Sequence, residues 1–252
     1  MSLEPSDRKE SPYGHILDLP PPFRLVVLRE VGDAFAHACA HAGALGAGTL
    51  VFVGRFDLAE FAVVLEPEEP LQSARRTLYA GMLALTDALA ALAPPEKPIS
   101  IAWPDAVLVD GGLVGGARLA WPEQSKEREV PDWLVFGASI RTVSMSNAGP
   151  GVQALATTLA EEGFADAGSE RLVESFARYL MVTIDRWQEG GFALLEKDYL
   201  AKLRPESGVQ FHIDERGNLG LRRSGQSVER RLLLPALQTT SWLDAKTGTP
   251  RQ

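Results

Sequence analysis

A chain of 252 residues with 45% hydrophobic content is long enough to bury a full core, and its size suits one large domain with a small appendage. The net charge of -8 opposes the counterion release that drives nonspecific nucleic-acid binding, and the single cysteine, Cys39, excludes an internal disulfide framework. No apolar run approaches the ~18 residues that span a bilayer and the start, MSLEPSDRKESPYG, is no signal sequence, so a cytoplasmic protein with neither nucleic acid nor membrane as partner is expected.

Residues 1–22, ending in LPPP, read as a flexible N-terminal arm, 23–204 as the main domain, and 205–252 as a small β module. Phe23 to Leu28 reads as a strand and Val31 to Ala42 as an Ala-rich helix that stops near Gly43. Thr49 to Val53 and Phe61 to Leu65 are apolar runs parted by a turn containing Gly54, Arg55, Phe56 and Asp57, as expected of neighbouring buried strands. Leu71, Ala74, Leu78, Met82, Leu85, Leu89 and Leu92 recur every three or four residues, which predicts one helix with an apolar stripe, ended by Pro94 and Pro95.

From Ile99 to Trp121 a Trp-Pro turn leads into two β runs, Val107 to Val109 and Leu113 to Ala120. Asp110, Gly111 and Gly112 between them supply the positive backbone angles of a tight hairpin. Gly115 and Gly116 sit inside a strand, where glycine weakens the ladder unless something approaches the backbone closely; a bulge and a bound ligand both account for the pair. Trp133 to Ser139 is a further strand, and Ser144 to Gly151 is turn-rich. Helices are predicted over Val152 to Glu162, Ser169 to Glu189 with Ser169 as N-cap, and Phe192 to Leu203, with Gly190 and Gly191 breaking the last two. Gly208 to Ile213, Asn218 to Arg222 and Val228 to Leu234 are short strands of the C-terminal module.

The hairpin resembles the central hairpin of the biotin/lipoate A/B protein ligase family, which reads W-P-N-D, a strand, and K-L-A-G-I-L. Trp103 and Pro104 match, and Gly116 falls on the glycine that in the family lies against the ligand's fused ring. Trp133 to Arg141 resembles the strand ending V-G-I-G-I-N, and the order of elements agrees from about Leu25 to Leu203. The resemblance implies an α+β fold, a mixed, mostly antiparallel sheet with packed helices. It also implies a cleft for biotin, lipoate or a related carboxylate, and a biotin or lipoyl carrier domain as partner.

Three departures weigh against ATP as a co-substrate. The family's ligand-gripping lysine is Leu113, its late asparagine is Arg141, and its Gly-Arg-rich loop after Thr49 to Val53 is reduced to a short turn. Ligand-binding candidates are Trp103, Gly115, Gly116, Gly137, Ser139 and Arg141, with Arg118 and Arg55 as cations that could receive a carboxylate; no catalytic residue is assigned. Arg118 could equally be turned to solvent or neutralised by Asp105 or Asp110. His37 and His41 have two-ligand spacing but no third ligand at a recognisable spacing, and Cys39 reads as an inert mid-helix thiol, so no metal is expected. The leading expectation is a ligase-like protein that binds a carboxylated small molecule or a carrier domain. An active ligase or acyltransferase using Arg55, Arg118 and Arg141, and a non-catalytic interaction scaffold, are its rivals.

Overall fold

The structure, a computed structural model, describes residues 17–29, 32–144, 156–164 and 168–251. Residues 1–16 of the expected arm, Val31 at the start of the first helix, residues 145–151 of the turn-rich segment and residues 152–155 of the helix expected after it lie outside the described residues. The fold is α+β, built on one seven-stranded sheet.

Its strands are β1 (Arg24–Leu28), β2 (Thr49–Val53), β3 (Leu58–Leu65), β4 (Ile99–Ala102), β5 (Ala106–Val109), β6 (Gly112–Ala120) and β7 (Leu134–Arg141). Their spatial order is β1-β2-β3-β7-β6-β5-β4; β1 and β2 run parallel and every other pair antiparallel. The β2–β3 connection is shorter than expected, because Leu58 already pairs with Arg141 and leaves residues 54–57 as the whole link.

Side-chain alternation divides the sheet into two faces. Leu50, Phe52, Phe61, Val63, Leu134, Phe136, Ala138 and Ile140 enter the larger core. There they meet α3 (Thr77–Leu92), α4 (Ser169–Gly190) and α5 (Phe192–Lys202). On the other face α1 (Ala34–Leu45) lays Ala34, Ala38 and Ala42 on Val51, Val53, Ala62, Val64 and Val135. That helix begins three residues later than Val31, because Asp33 caps it by accepting the Ala36 N–H at 2.8 Å. It runs through Gly43 and ends at Gly46, whose φ of +71° suits glycine.

The long apolar stripe proves to be two helices, α2 (Leu71–Ala74) and α3. Arg75 is buried at the break with its guanidinium on Glu127, while the amides of Leu71 and Gln72 bond to the carbonyls of Glu129 and Glu127, so a distant loop overrides the local pattern. Residues 78–86 of α3 are all buried, which makes it a core helix and not a one-sided one. The described part of the helix expected over 152–162 is a turn instead. Its amides at Thr157, Leu159 and Ala160 bond to the carbonyls of Leu113, Arg141 and Thr142, so it continues the sheet. Gly168, not Ser169, stands at the N-cap of α4, and the Ser169 hydroxyl donates to the Arg55 carbonyl at 2.7 Å.

Beyond Leu203 lie β8 (Val209–Ile213), β9 (Leu219–Arg223) and β10 (Glu229–Arg231) in a three-stranded antiparallel sheet. The third expected strand ends at Arg231 and gives way to α6 (Leu233–Gln238), whose first amide is held by the Asn218 side chain at 3.0 Å. Ile213, Leu219, Leu221 and Leu233 join the same core as the main sheet, and Tyr79 reaches across to the Gly217 carbonyl. Leu17 is buried in that core too, and Asp18 bonds to Glu174 and Arg178, so the arm is fastened from Leu17 onward.

Gly81 fixes how closely α3 meets the sheet: a Cβ there would lie 2.2 Å from the Phe136 ring. Replacing Gly81 by alanine adds about 1 kcal/mol of helix propensity but forces apart a close-packed contact, for which overpacking costs of roughly 1–3 kcal/mol are usual. Gly81→Ala is expected to lower the urea midpoint, whereas a raised midpoint would show that the helix–sheet contact yields freely.

Candidate functional site

Because Leu134, Phe136, Ala138 and Ile140 face the helical core, Gly137, Ser139 and Arg141 of β7 must face the other way. On β6 Ala117 and Leu119 enter the core, so Gly116 and Arg118 share the face of Ser139 and Gly137, their direct partners across the ladder. Helix α1 covers this face from β2 to β7 and leaves the β7–β6–β5 part as a separate surface. Five of the candidates, Gly116, Arg118, Gly137, Ser139 and Arg141, therefore gather on one patch.

Gly137 admits an aromatic lid, since a Cβ there would sit 2.5 Å from Phe35 of α1. Phe35 in turn carries the Arg118 guanidinium 4.2 Å above its ring, and Asp33 lies 3.7 Å from the same guanidinium. Neither Asp105 nor Asp110 pairs with Arg118. Glu60, which sequence reasoning passed over, is buried beside this group and accepts the Ala34 N–H at 2.9 Å, at the N-terminus of α1. Burial raises its pKa, while the Ala34 amide and the cations Arg55 and Arg118 pull it back. The Arg55 side chain forks onto Asp57 at 3.0 and 2.7 Å.

Two candidates serve other purposes. Gly115, at φ +153°, lies at the register shift between β5 and β6, and a Cβ on it would fall 2.0 Å from the Ser139 carbonyl oxygen. The close approach that requires this glycine is made by β7, which is the bulge account of the pair. Trp103 packs with the helical core, and its indole N–H donates to Tyr79 Oη at 3.1 Å. Cys39 is half-buried on α1 and its thiol is pushed up to about 11 by burial, which suits an inert side chain.

The neighbour that Gly116 accommodates comes from the far end of the chain. A Cβ on Gly116 would lie 2.5 Å from Trp242 Cε2 and 2.4 Å from the Asp105 carbonyl oxygen. Trp242 is 1% exposed. Its backbone carbonyl accepts the Arg251 N–H at 2.7 Å, and the Arg251 carbonyl accepts from Arg141 Nη2 at 2.6 Å. A second bond runs from Arg141 Nη2 to the Leu113 carbonyl at 3.1 Å, while Arg141 Nε is buried without a partner. Burial lowers the Arg141 pKa. Local periodicity holds no trace of Trp242 in this place; an isolated tryptophan in the mostly polar run Thr239 to Gln252 is the one signal the sequence offers.

Asp105 is buried under the same ring. Burial pushes its carboxyl up to about 7, and the facing Trp242 indole draws it partly back without reaching a well-aligned hydrogen bond.

The profile of the Biotin/lipoate A/B protein ligase family matches residues 19–201. No curated protein sequence matches the chain. Among solved structures, a biotin protein ligase-like protein of unknown function from Silicibacter sp. TM1040 is 27% identical with a TM-score of 0.76, over 88% of this chain and 99% of that one. The biotin protein ligase of Aquifex aeolicus without ligand is 18% identical with a TM-score of 0.65, over 83% and 96% of the two chains. The same ligase in complex with biotin and ATP is 18% identical with a TM-score of 0.62, over 82% and 95%.

The raised pKa of Asp105 carries a definite sign. Between its unfolded value near 4 and its folded value of about 7, the native state holds the proton more tightly than the unfolded chain, so stability is present at low pH and lost as pH rises through that window. Asp105→Asn removes the ionisation, and above pH 7 the variant is expected to be more stable than the parent by roughly 2–4 kcal/mol, an advantage that fades toward pH 4. Urea midpoints of both proteins across pH 5–8 read this directly; a difference that does not change with pH would show that Asp105 titrates normally.

Proposed function

The chain belongs to the biotin/lipoate A/B protein ligase family, and from that membership we propose that it binds a carboxylated small molecule, free or on a carrier domain, without activating it with ATP. The observation that carries this reading is the link between β2 and β3. Activation of a carboxylate needs cations around the developing phosphate charge and a lid that excludes water. Here residues 54–57 turn straight from one strand to the next, and the cation they carry, Arg55, is forked onto Asp57. Leu113, in the place of the family's lysine, adds no charge.

What remains suits recognition of an anion. Arg118 lies over Phe35 with Asp33 at the long end of ion-pair range, and Arg141 directs its Nη2 at carbonyl oxygens. A carboxylate offers either guanidinium a stronger, charge-assisted acceptor. Biotin, lipoate and simpler carboxylates are the ligands to try; a carrier domain would present such a group covalently attached.

Titration calorimetry with biotin, lipoate, octanoate and ATP tests the binding, and pyrophosphate release tests the chemistry. Heat is expected with at least one carboxylate, none with ATP, and pyrophosphate should stay at background when carboxylate and Mg-ATP are combined. Carboxylate-dependent pyrophosphate release by the purified protein would overturn the proposal in favour of an active ligase.

A further inference from the structure

Trp242 and Arg251 bring to the cleft the two chemical features that a carboxylated ring ligand would bring. One is a flat, fused bicyclic ring with an N–H, laid on Gly116; the other is a carbonyl oxygen, received by Arg141 Nη2 at 2.6 Å. The two are joined directly by the hydrogen bond between the Trp242 carbonyl and the Arg251 N–H. We infer that residues 242–251 form an intramolecular plug that occupies the ligand cleft and must be displaced before a carboxylated ring compound can bind. The inference rests on the reading of this face as the ligand site.

The segment is built to move as a unit. Its ends are held together by the Leu243–Pro250 bridge and by Arg251 Nε on the Leu243 carbonyl at 3.0 Å. Inside it the Asp244 N–H donates to the Thr249 carbonyl, and Asp244 Oδ1 accepts the Lys246 N–H at 2.8 Å. The grip on the body is narrow by comparison. From Thr239 to Arg251 only Trp242 and Pro250 are buried, and the connection to α6 passes through exposed Thr239 and Ser241. Few buried contacts and self-contained hydrogen bonds are the marks of a segment that opens locally at modest cost.

The fit is also incomplete. The Trp242 indole N–H and Arg141 Nε are both buried without a hydrogen-bond partner. Displacing the plug returns the Trp242 N–H to water, and a ligand carboxylate can take up the Arg141 Nε that the plug leaves bare, so both changes favour exchange.

Biotin is the probe, because it combines a fused ring, ring acceptors and a carboxylate. In the full-length protein, saturating biotin is expected to increase hydroxyl-radical oxidation of the Trp242 indole, which is 1% exposed while the plug is docked. Trp242→Ala is expected to bind biotin about tenfold or more tightly than the parent, as removal of a competing occupant does. Should that variant fold poorly, Asp244→Ala loosens the plug from within by removing the half-buried carboxylate that accepts the Lys246 N–H, and should tighten biotin in the same direction. Biotin that binds parent and both variants equally, with Trp242 still protected from oxidation at saturation, would overturn the plug while the cleft reading stands. Absence of biotin binding to the parent and to both folded variants, with lipoate and octanoate equally inert, would overturn the cleft reading and the plug together.

Discussion

The alternation along β7 decides both the core and the candidate site. Leu134, Phe136, Ala138 and Ile140 bind the strand to the helical layer, and the same period of two forces Gly137, Ser139 and Arg141 onto the opposite face. A slip of one residue would put Arg141 and Ser139 into an apolar interior and Phe136 under α1, where Gly137 now leaves room for Phe35. Register is held by pairing on both sides, Phe61 to Ala138 with β3 and Ala117 to Ala138 with β6. The candidate face is therefore inherited from the β3–β7 and β7–β6 pairings, and its relief follows from which outward positions lack side chains.

Charge on this face is arranged very differently from one arginine to the next. Arg55 has a forked, two-bond partner in Asp57, so little of its hydrogen-bonding capacity faces the cleft. Arg118 lies on an aromatic ring, with the half-exposed Asp33 at 3.7 Å, a distance and exposure at which solvent screens most of the attraction. The hydrogen bonds of Arg141 go to carbonyl oxygens, and Glu161 acts on it through space. Of the three, Arg141 gains most from an incoming carboxylate. Asp105 pulls the opposite way: a second carboxyl buried beside the ring site is tolerated because it can hold a proton near neutrality.

The sequence made most of the strands, the glycine hairpin and α4 legible, because each is announced by local periodicity or by residues with one conformational use, while the order of elements came from the family resemblance. Asp110 at φ 49° and Gly111 at φ 83° form the hairpin turn their types predict. What stayed hidden depends on partners far along the chain. The break at Arg75 answers to Glu127 and Glu129, the turn around Leu159 answers to β6 and β7, and Ser169 gives its hydroxyl to Arg55. In the site, outward-facing residues of β6 and β7 could be read from alternation. Trp103 could not, since a neighbouring Tyr79 on α3 captures its N–H, and Trp242 could not, since it reaches Gly116 across more than a hundred residues of sequence.

The balance between plug and ligand can be bounded by magnitude. Full burial of a large aromatic side chain is worth roughly 2–3 kcal/mol by area, so a docked segment whose buried residues are Trp242 and Pro250 gains only a few kcal/mol from burial. A plug docked 99% of the time would weaken apparent affinity about a hundredfold, equivalent to roughly 2.7 kcal/mol. Ligand at about a hundred times its dissociation constant supplies the same free energy. On the reading proposed for residues 242–251, this face is closed to dilute compounds by its own chain and open to one that is abundant or that answers the bare Nε of Arg141. Under that proposal, selectivity on this face arises from competition with an internal occupant as much as from the side chains around it.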